Sequence, residues 1–352
     1  MKNRIPEIEF RQKFIVDWII MPKGNPKSIC IIGCGYISGI HIEAYLGYRE
    51  AIELCLCDTD LEKARSVGDE YGIQRYFQDY GEVLEREDIE MMDICLPNFL
   101  HQEAAVAALN AGKHVLLEKP IAVDLTGADA IVAAERASTG KFMVAESDRF
   151  VEATVKMAAL IKEGVIGQVF WVQGNAFNTF KPSGWRLSKS MLGGGVFIEW
   201  GIHYIHTLNW LCGGDPKSVY ARLHRYTYPE MEGEDSAFVM IEYASGITGQ
   251  INVGYGIVGA PNPAHLMVCG SEGTLWQDRG LWLRSRSKMT EPPVQILPES
   301  HYDDAVKTGI WHFLDCVYSD REPVVSGELA RKDLEVVTAA HRSWDEGKVV
   351  KL

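Results

Sequence analysis

Three groups of side chains in this 352-residue chain have the types and spacing that chemistry needs. The first closes the run His114-Val115-Leu116-Leu117-Glu118-Lys119-Pro120, where a short apolar stretch ends in a carboxylate, an amine and a proline. A buried parallel strand delivers charge to the edge of its sheet in this way. An ammonium at Lys119 would stabilise an oxygen gaining negative charge. The same residues also fit the solvated end of an ordinary strand.

The second group follows Gly193-Gly194-Gly195. If the chain is helical from about Val196, spacings of four and then three place Glu199, His203 and His206 on one face. Imidazoles as a class titrate near neutrality, so Glu199 would orient His203 as a general base. A satisfied buried hydrogen bond and a divalent metal site fit the same spacing. No fourth ligand is in register, since His41, His101 and His114 share no ligand spacing with it, and no metal is expected.

The third group is Gly33-Cys34-Gly35-Tyr36-Ile37-Ser38-Gly39, between the apolar run Ser28 to Ile32 and a helical pattern reaching about Tyr48. Glycines there allow a tight turn and close backbone approach, and the helix N-terminus offers free N–H groups to a pyrophosphate. The next strand, Ile52 to Cys57, ends at Asp58, 25 residues after Gly33. A carboxylate at that place accepts from a ribose diol and repels a 2'-phosphate, so NAD is expected over NADP. Asp58 capping the following helix is the competing reading.

These groups need elements to hold them. Strands near Gln74 to Phe77, Met91 to Leu96, His114 to Glu118 and Phe142 to Ala145 alternate with helices at Tyr80 to Arg86, Leu100 to Ala111 and Leu125 to Ser138. Repeated strand-helix units predict an α/β, doubly wound parallel sheet of Rossmann type, with Gly33, Asp58, Pro97, Asn98 and Lys119 at the carboxyl ends of its strands. After Phe150 a helix leads into longer strands separated by turn signals. They predict an α+β domain with an open, mostly antiparallel sheet, closed by two amphipathic helices near Ala305 to Tyr318 and Ser326 to Glu346. The expected organisation is an N-terminal arm over 1–27, a dinucleotide-binding domain over 28–150 and a substrate-binding and oligomerisation domain over 151–352.

Composition excludes several classes. Apolar residues make up 47% and charged ones 24%, which is ordinary for a globular protein. A formal charge of -13 repels nucleic acid and anionic membranes, so a small-molecule partner is expected. No apolar stretch reaches the roughly 20 residues that span a bilayer, and Glu7, Glu9 and Asp17 break any secretory pattern. Eight cysteines without a CxxC pair fit reduced thiols in a cytoplasmic protein.

From about Ser28 to its end the chain resembles the glucose-fructose oxidoreductase / inositol dehydrogenase / MocA-like family. The resemblance rests on Gly33-x-Gly35 with His41, Asp93-Ile94-Cys95-Leu96-Pro97-Asn98 with His101, Ala111-Gly112-Lys113-His114-Val115 before Glu118-Lys119-Pro120, Trp185-Arg186, and the glycines before Glu199-x-x-x-His203. It implies a catalytic Lys119 and an acid/base His203, with Glu199 and His206 standing where aspartates are usual. It further implies NAD contacts from Gly33, Gly35, Tyr36, Ile37, Asp58, Pro97, Asn98, His101, Glu118, Lys119, Trp185 and Arg186. Lys119, Arg149, Trp200, His203 and His206 are the expected substrate contacts.

The reaction so implied is hydride transfer between the nicotinamide of NAD(H) and a secondary hydroxyl or ketone of a sugar, sugar derivative, glycoside or cyclitol. A homodimer or homotetramer through the C-terminal sheet goes with it. A glycoside-cleaving enzyme that recycles its NAD, and a non-catalytic NAD-dependent sugar sensor, are the alternatives. Pro120 is expected to follow a cis bond.

Overall fold

A computed structural model of the chain describes residues 27–48, 51–258, 264–299 and 301–352. The expected arm and its linker, up to residue 26, lie outside the described residues, and Lys27 already belongs to a strand.

The first sheet carries β1 (Lys27–Ile32), β2 (Ile52–Cys57), β3 (Tyr76–Phe77), β4 (Met91–Ile94), β5 (His114–Glu118) and β6 (Phe142–Ala145). Its order is β3-β2-β1-β4-β5-β6, parallel throughout. Strands β1 and β4 are buried along nearly their whole length, because helices cover both faces. Those helices are α1 (Tyr36–Leu46), α2 (Leu61–Tyr71), α3 (Tyr80–Leu84), α4 (His101–Asn110) and α5 (Leu125–Ala137). The strand order reverses between β1 and β4, which opens the crevice where ligands bind on such sheets.

The second sheet has nine strands: β7 (Val169–Phe177), β8 (Pro216–His224), β9 (Ser236–Tyr243), β10 (Thr248–Gly254), β11 (Leu266–Gly270), β12 (Gly273–Gln277), β13 (Leu281–Ser285), β14 (Val294–Leu297) and β15 (Val350–Lys351). Its order is β14-β13-β12-β11-β7-β10-β9-β8-β15. Every pair is antiparallel except β7 with β10, so the sheet is mixed rather than a simple meander. Strands β14 and β15 carry little local signal, being short and at the two edges. Along β9 exposure alternates strictly, as one covered face requires.

Helix α6 (Glu152–Lys162) packs against α8 (Ile202–Cys212), which lies on the covered face. The short α7 (Lys189–Leu192) precedes the triple glycine. At Gly195 a side chain would collide with backbone, since a Cβ there would stand 2.0 Å from the Glu234 carbonyl oxygen. One turn before α8, residues Phe197–Gly201 form a π-helix.

Two long helices end the chain, α9 (Tyr302–Ser319) and α10 (Gly327–Glu346), the latter capped by the Ser326 side chain. Helix α9 returns to the first sheet, where Trp311 Nε1 donates to the Ala44 carbonyl at 2.9 Å and Lys307 Nζ to Glu43 at 2.7 Å. Helix α10 packs against both α5 and α8. Its Asp333 accepts from His206 Nδ1 and Asn209 Nδ2, both at 2.7 Å. The two C-terminal helices thereby tie the second half to the first, and the described cysteines are all free thiols.

Candidate active site

The turn after β1 is dictated by glycine. Gly33 has φ of +98°, and a Cβ there would meet the Cys95 carbonyl oxygen at 2.6 Å. Nothing stands within 4 Å of a Cβ built on Gly35, the N-cap of α1, whose side chain supplies no cap. Free space therefore borders unpaired first-turn N–H groups, which suits a pyrophosphate. The groove over this turn has a volume of about 970 Å³, and Gly33, Gly35, Tyr36, Ile37, Asp58, Pro97, Trp185 and Arg186 all line it.

Asp58 stands at the groove's rim. Its carboxylate accepts from the Cys34 and Asp60 N–H groups at 2.9 and 3.0 Å and from Lys63 Nζ at 3.0 Å. Burial pushes its pKa up, but these donors outweigh burial and hold it below the usual value. The helix cap is Asp60, which accepts from the Lys63 N–H, so Asp58 is left for the groove.

At the far end of the sheet, β5 and β6 run side by side with Glu118 opposite Ala145. The next residues, Lys119 and Glu146, emerge together at the carboxyl edge. The Lys119–Pro120 bond is cis, as expected. Lys119 Nζ donates to the Glu199 carbonyl oxygen at 3.0 Å, one turn before His203. His203 pairs through Nδ1 with Glu146 Oε1 at 2.6 Å. Burial would raise the Glu146 carboxyl; the charge and hydrogen bond of His203 outweigh it and hold that group at about 2.

Behind Lys119 lies a buried brace. His41 reaches Asp93 through Nδ1 at 2.7 Å and Glu118 through Nε2 at 3.1 Å, and Tyr45 donates to Asp93 at 2.8 Å. Burial lowers the His41 pKa, but Asp93 beside it more than compensates and raises it well above the ordinary value. Glu118 in turn accepts the Lys119 N–H at 3.2 Å.

Residues 27–146 match an oxidoreductase family model described as an NAD-binding Rossmann fold, and residues 154–276 match the GFO/IDH/MocA C-terminal domain. The chain belongs to the GFO/IDH/MocA oxidoreductase family. It is an NAD-binding oxidoreductase of the sugar and cyclitol dehydrogenase type. The D-apiose dehydrogenase of Paraburkholderia graminis is 28% identical over 92% of this chain and 88% of its own length. The scyllo-inositol 2-dehydrogenase (NAD(+)) of Bacillus subtilis is 26% identical over 92% and 95%. A levoglucosan dehydrogenase solved with NADH and levoglucosan shares the fold, with a TM-score of 0.86 at 21% identity over 93% of this chain and 99% of that one.

For a GFO/IDH/MocA chain, several expected roles require correction. Glu199 does not orient His203. Its carboxylate takes Arg186 Nε at 2.5 Å and the Tyr255 hydroxyl at 2.5 Å, and the turn that carries it is a π-helix. Glu146 holds His203 instead. His206 is buried against Asp333 rather than in the cleft. Arg149 stacks its guanidinium 3.6 Å from the centre of the Trp210 ring, a cation–π contact that occupies it. Trp200 packs edge-on to Tyr255 at 4.9 Å, beside Glu199.

Four residues expected at the cofactor do not line the groove. Asn98 is buried and donates to the Leu192 carbonyl at 2.9 Å, while Glu118 serves the His41 brace and Lys119 turns toward Glu199. His101 lies with its ring nitrogens 2.7 and 2.8 Å from the carbonyls of Pro120 and Leu96. Burial lowers its pKa although both carbonyls favour the charged ring. It braces the turn that carries Lys119. The grouping Glu199, His203 and His206 is not brought together, which removes the metal reading that rested on it.

Glu146 carried a signal. It follows the apolar run Phe142 to Ala145 as Glu118-Lys119 follows Val115 to Leu117, and a charge directly after a buried parallel strand falls at the ligand edge.

Proposed function

We propose that the protein transfers hydride between NAD(H) and a secondary hydroxyl or ketone of a sugar or cyclitol. The observation that carries this reading is the pair His203–Glu146 beside Lys119, at the carboxyl edge of β5 and β6. Bound NAD supplies the hydride acceptor or donor. With Nδ1 engaged by Glu146, the other ring nitrogen of His203 is left to take the hydroxyl proton. Lys119 hydrogen-bonds the same oxygen and stabilises its developing charge. The Glu199–Arg186–Tyr255 cluster fixes the helix turn that presents both groups.

The relatives' names direct the substrate screen: D-apiose, the inositols and levoglucosan, each with NAD at high protein concentration. A steady rise in NADH absorbance with at least one of these polyols is expected. The absence of both NADH formation from any sugar or cyclitol and NADH consumption with the corresponding ketones would reject the reading. Preference for NAD rests on the ionised Asp58, which repels a 2'-phosphate. The expected kcat/KM with NADP is at least about tenfold lower, with Lys63, paired to Asp58, a cation able to soften that difference.

A dimer or tetramer through the second sheet is part of this reading. Tyr220, Met240, Met267, Trp276 and Trp282 fall in one row across its uncovered face, joined through Gln250 and Gln173. Met240 is 49% exposed, and Trp276 and Trp282 stack at 6.4 Å. An apolar row of this length on an open sheet suits a second copy of itself.

A further inference from the structure

The site contains a second acid whose place the reaction above does not explain. Asp148 sits two residues after Glu146, in the 3-10 turn that follows β6. One oxygen of each carboxylate and a ring nitrogen of His203 lie within 4.8 Å of one another. One water spans such a gap. The Asp148 N–H also donates to Glu146 Oε1 at 3.1 Å, which keeps the two acids in register.

Asp148 borders a cavity of about 240 Å³ separate from the NAD groove, with Arg279, Glu299 and Tyr302 exposed at its rim. Thr207, on the wall of that cavity, has a buried Oγ1 with no partner among the described residues. Buried polar atoms in this condition call for ordered water. The cavity is therefore a partly polar space, large enough for several waters, that runs from Asp148 to the surface.

We infer that Asp148 is the proton exit of the active site, passing the proton that His203 takes from the substrate hydroxyl to water in this cavity. This rests on the dehydrogenase reading. Oxidation of the carbinol releases one hydride and one proton. The hydroxyl proton goes to the free ring nitrogen of His203, Nδ1–H gives its own to Glu146, and Asp148 receives it and hands it to water. Glu146 and Asp148 end as they began, while His203 ends with its proton on the other ring nitrogen and is reset by proton exchange with water before the next turnover; reduction runs the path in reverse. Glu146 alone is a poor resting place because His203 holds it so acidic. Asp148 is the better one, since burial and the Glu146 charge both raise its pKa. Facing it are Glu146, His203, His206, Lys119, Tyr204 and Tyr302.

Asp148→Asn keeps the shape and removes the proton-holding oxygen. With the polyol selected in the screen, D-apiose first, the single-turnover rate of NADH formation is expected to fall about tenfold or more. Added formate should restore it, Asp148→Glu should keep most of the rate, and KM should stay within about twofold. An unchanged rate overturns the inference, as does a loss with raised KM and no formate rescue.

Without substrate or cofactor, the Asp148 carboxyl followed by carbon NMR should titrate above the ordinary carboxylate range. Its midpoint should rise further in His203→Gln, because His203 holds it down. An ordinary midpoint, unmoved by His203→Gln, overturns the inference too. If His203→Gln itself retains full turnover, the acid/base assignment fails instead, so the two failures are distinct.

Discussion

Lys119→Ala removes the ammonium and leaves the groove untouched, because Lys119 does not line it. Turnover is expected to fall about a hundredfold or more while NADH affinity stays within about twofold, measured by single-turnover rates and fluorescence titration. Glu146→Gln should slow turnover by a similar factor, because the neutral amide no longer stabilises the protonated His203 ring. Glu199→Gln tests the corrected roles. Its carboxylate serves Arg186 and Tyr255, so its loss should appear first as a lowered Tm and only secondarily in rate. A rate loss in Glu199→Gln exceeding that in Glu146→Gln would restore the original pairing.

At the scale of elements, the strand-to-helix turn after β1 is the most constrained piece of backbone. Gly33→Ala must carry a side chain at φ of +98° and force it against the Cys95 carbonyl. We expect a stability loss of about 1–3 kcal/mol by urea titration, and NADH binding weakened about tenfold or more as the turn shifts. The helices and long strands were legible because their apolar positions repeat with period 3.6 or 2, as in β9 and α10. The π-turn at Phe197–Gly201 was not legible. It occurs where Glu199 meets Arg186 and Tyr255 and where its carbonyl receives Lys119 from the other half, contacts of which a local pattern holds no record.

For the whole molecule, acid sensitivity follows from Glu146. Its folded-state pKa is depressed to about 2 against the ordinary 4.5, despite burial, by His203. A depressed carboxylate adds stability that is fully present above pH 4.5 and is lost as pH falls toward 2. Urea midpoints measured down that window should fall more steeply for the wild type than for Glu146→Gln. Equal slopes would remove Glu146 from the linkage. Assembly belongs to this scale as well: Met240→Glu puts charge in the middle of the exposed row and should shift the mass seen by light scattering toward the monomer, with NADH binding unchanged.

The sequence by itself determined the parallel sheet, the glycine turn, the acid at Asp58 and the lysine at the end of β5. Each is set by residues adjacent in the chain, through strand period, backbone freedom or charge after an apolar run. Tertiary structure alone decided which acid meets His203. Glu199 is four residues away and Glu146 is 57, yet the first pairs with Arg186 and Tyr255 while β6 delivers the second beside Lys119. Separation along the chain says nothing about that choice, because it depends on how two sheets and a helix close on one another.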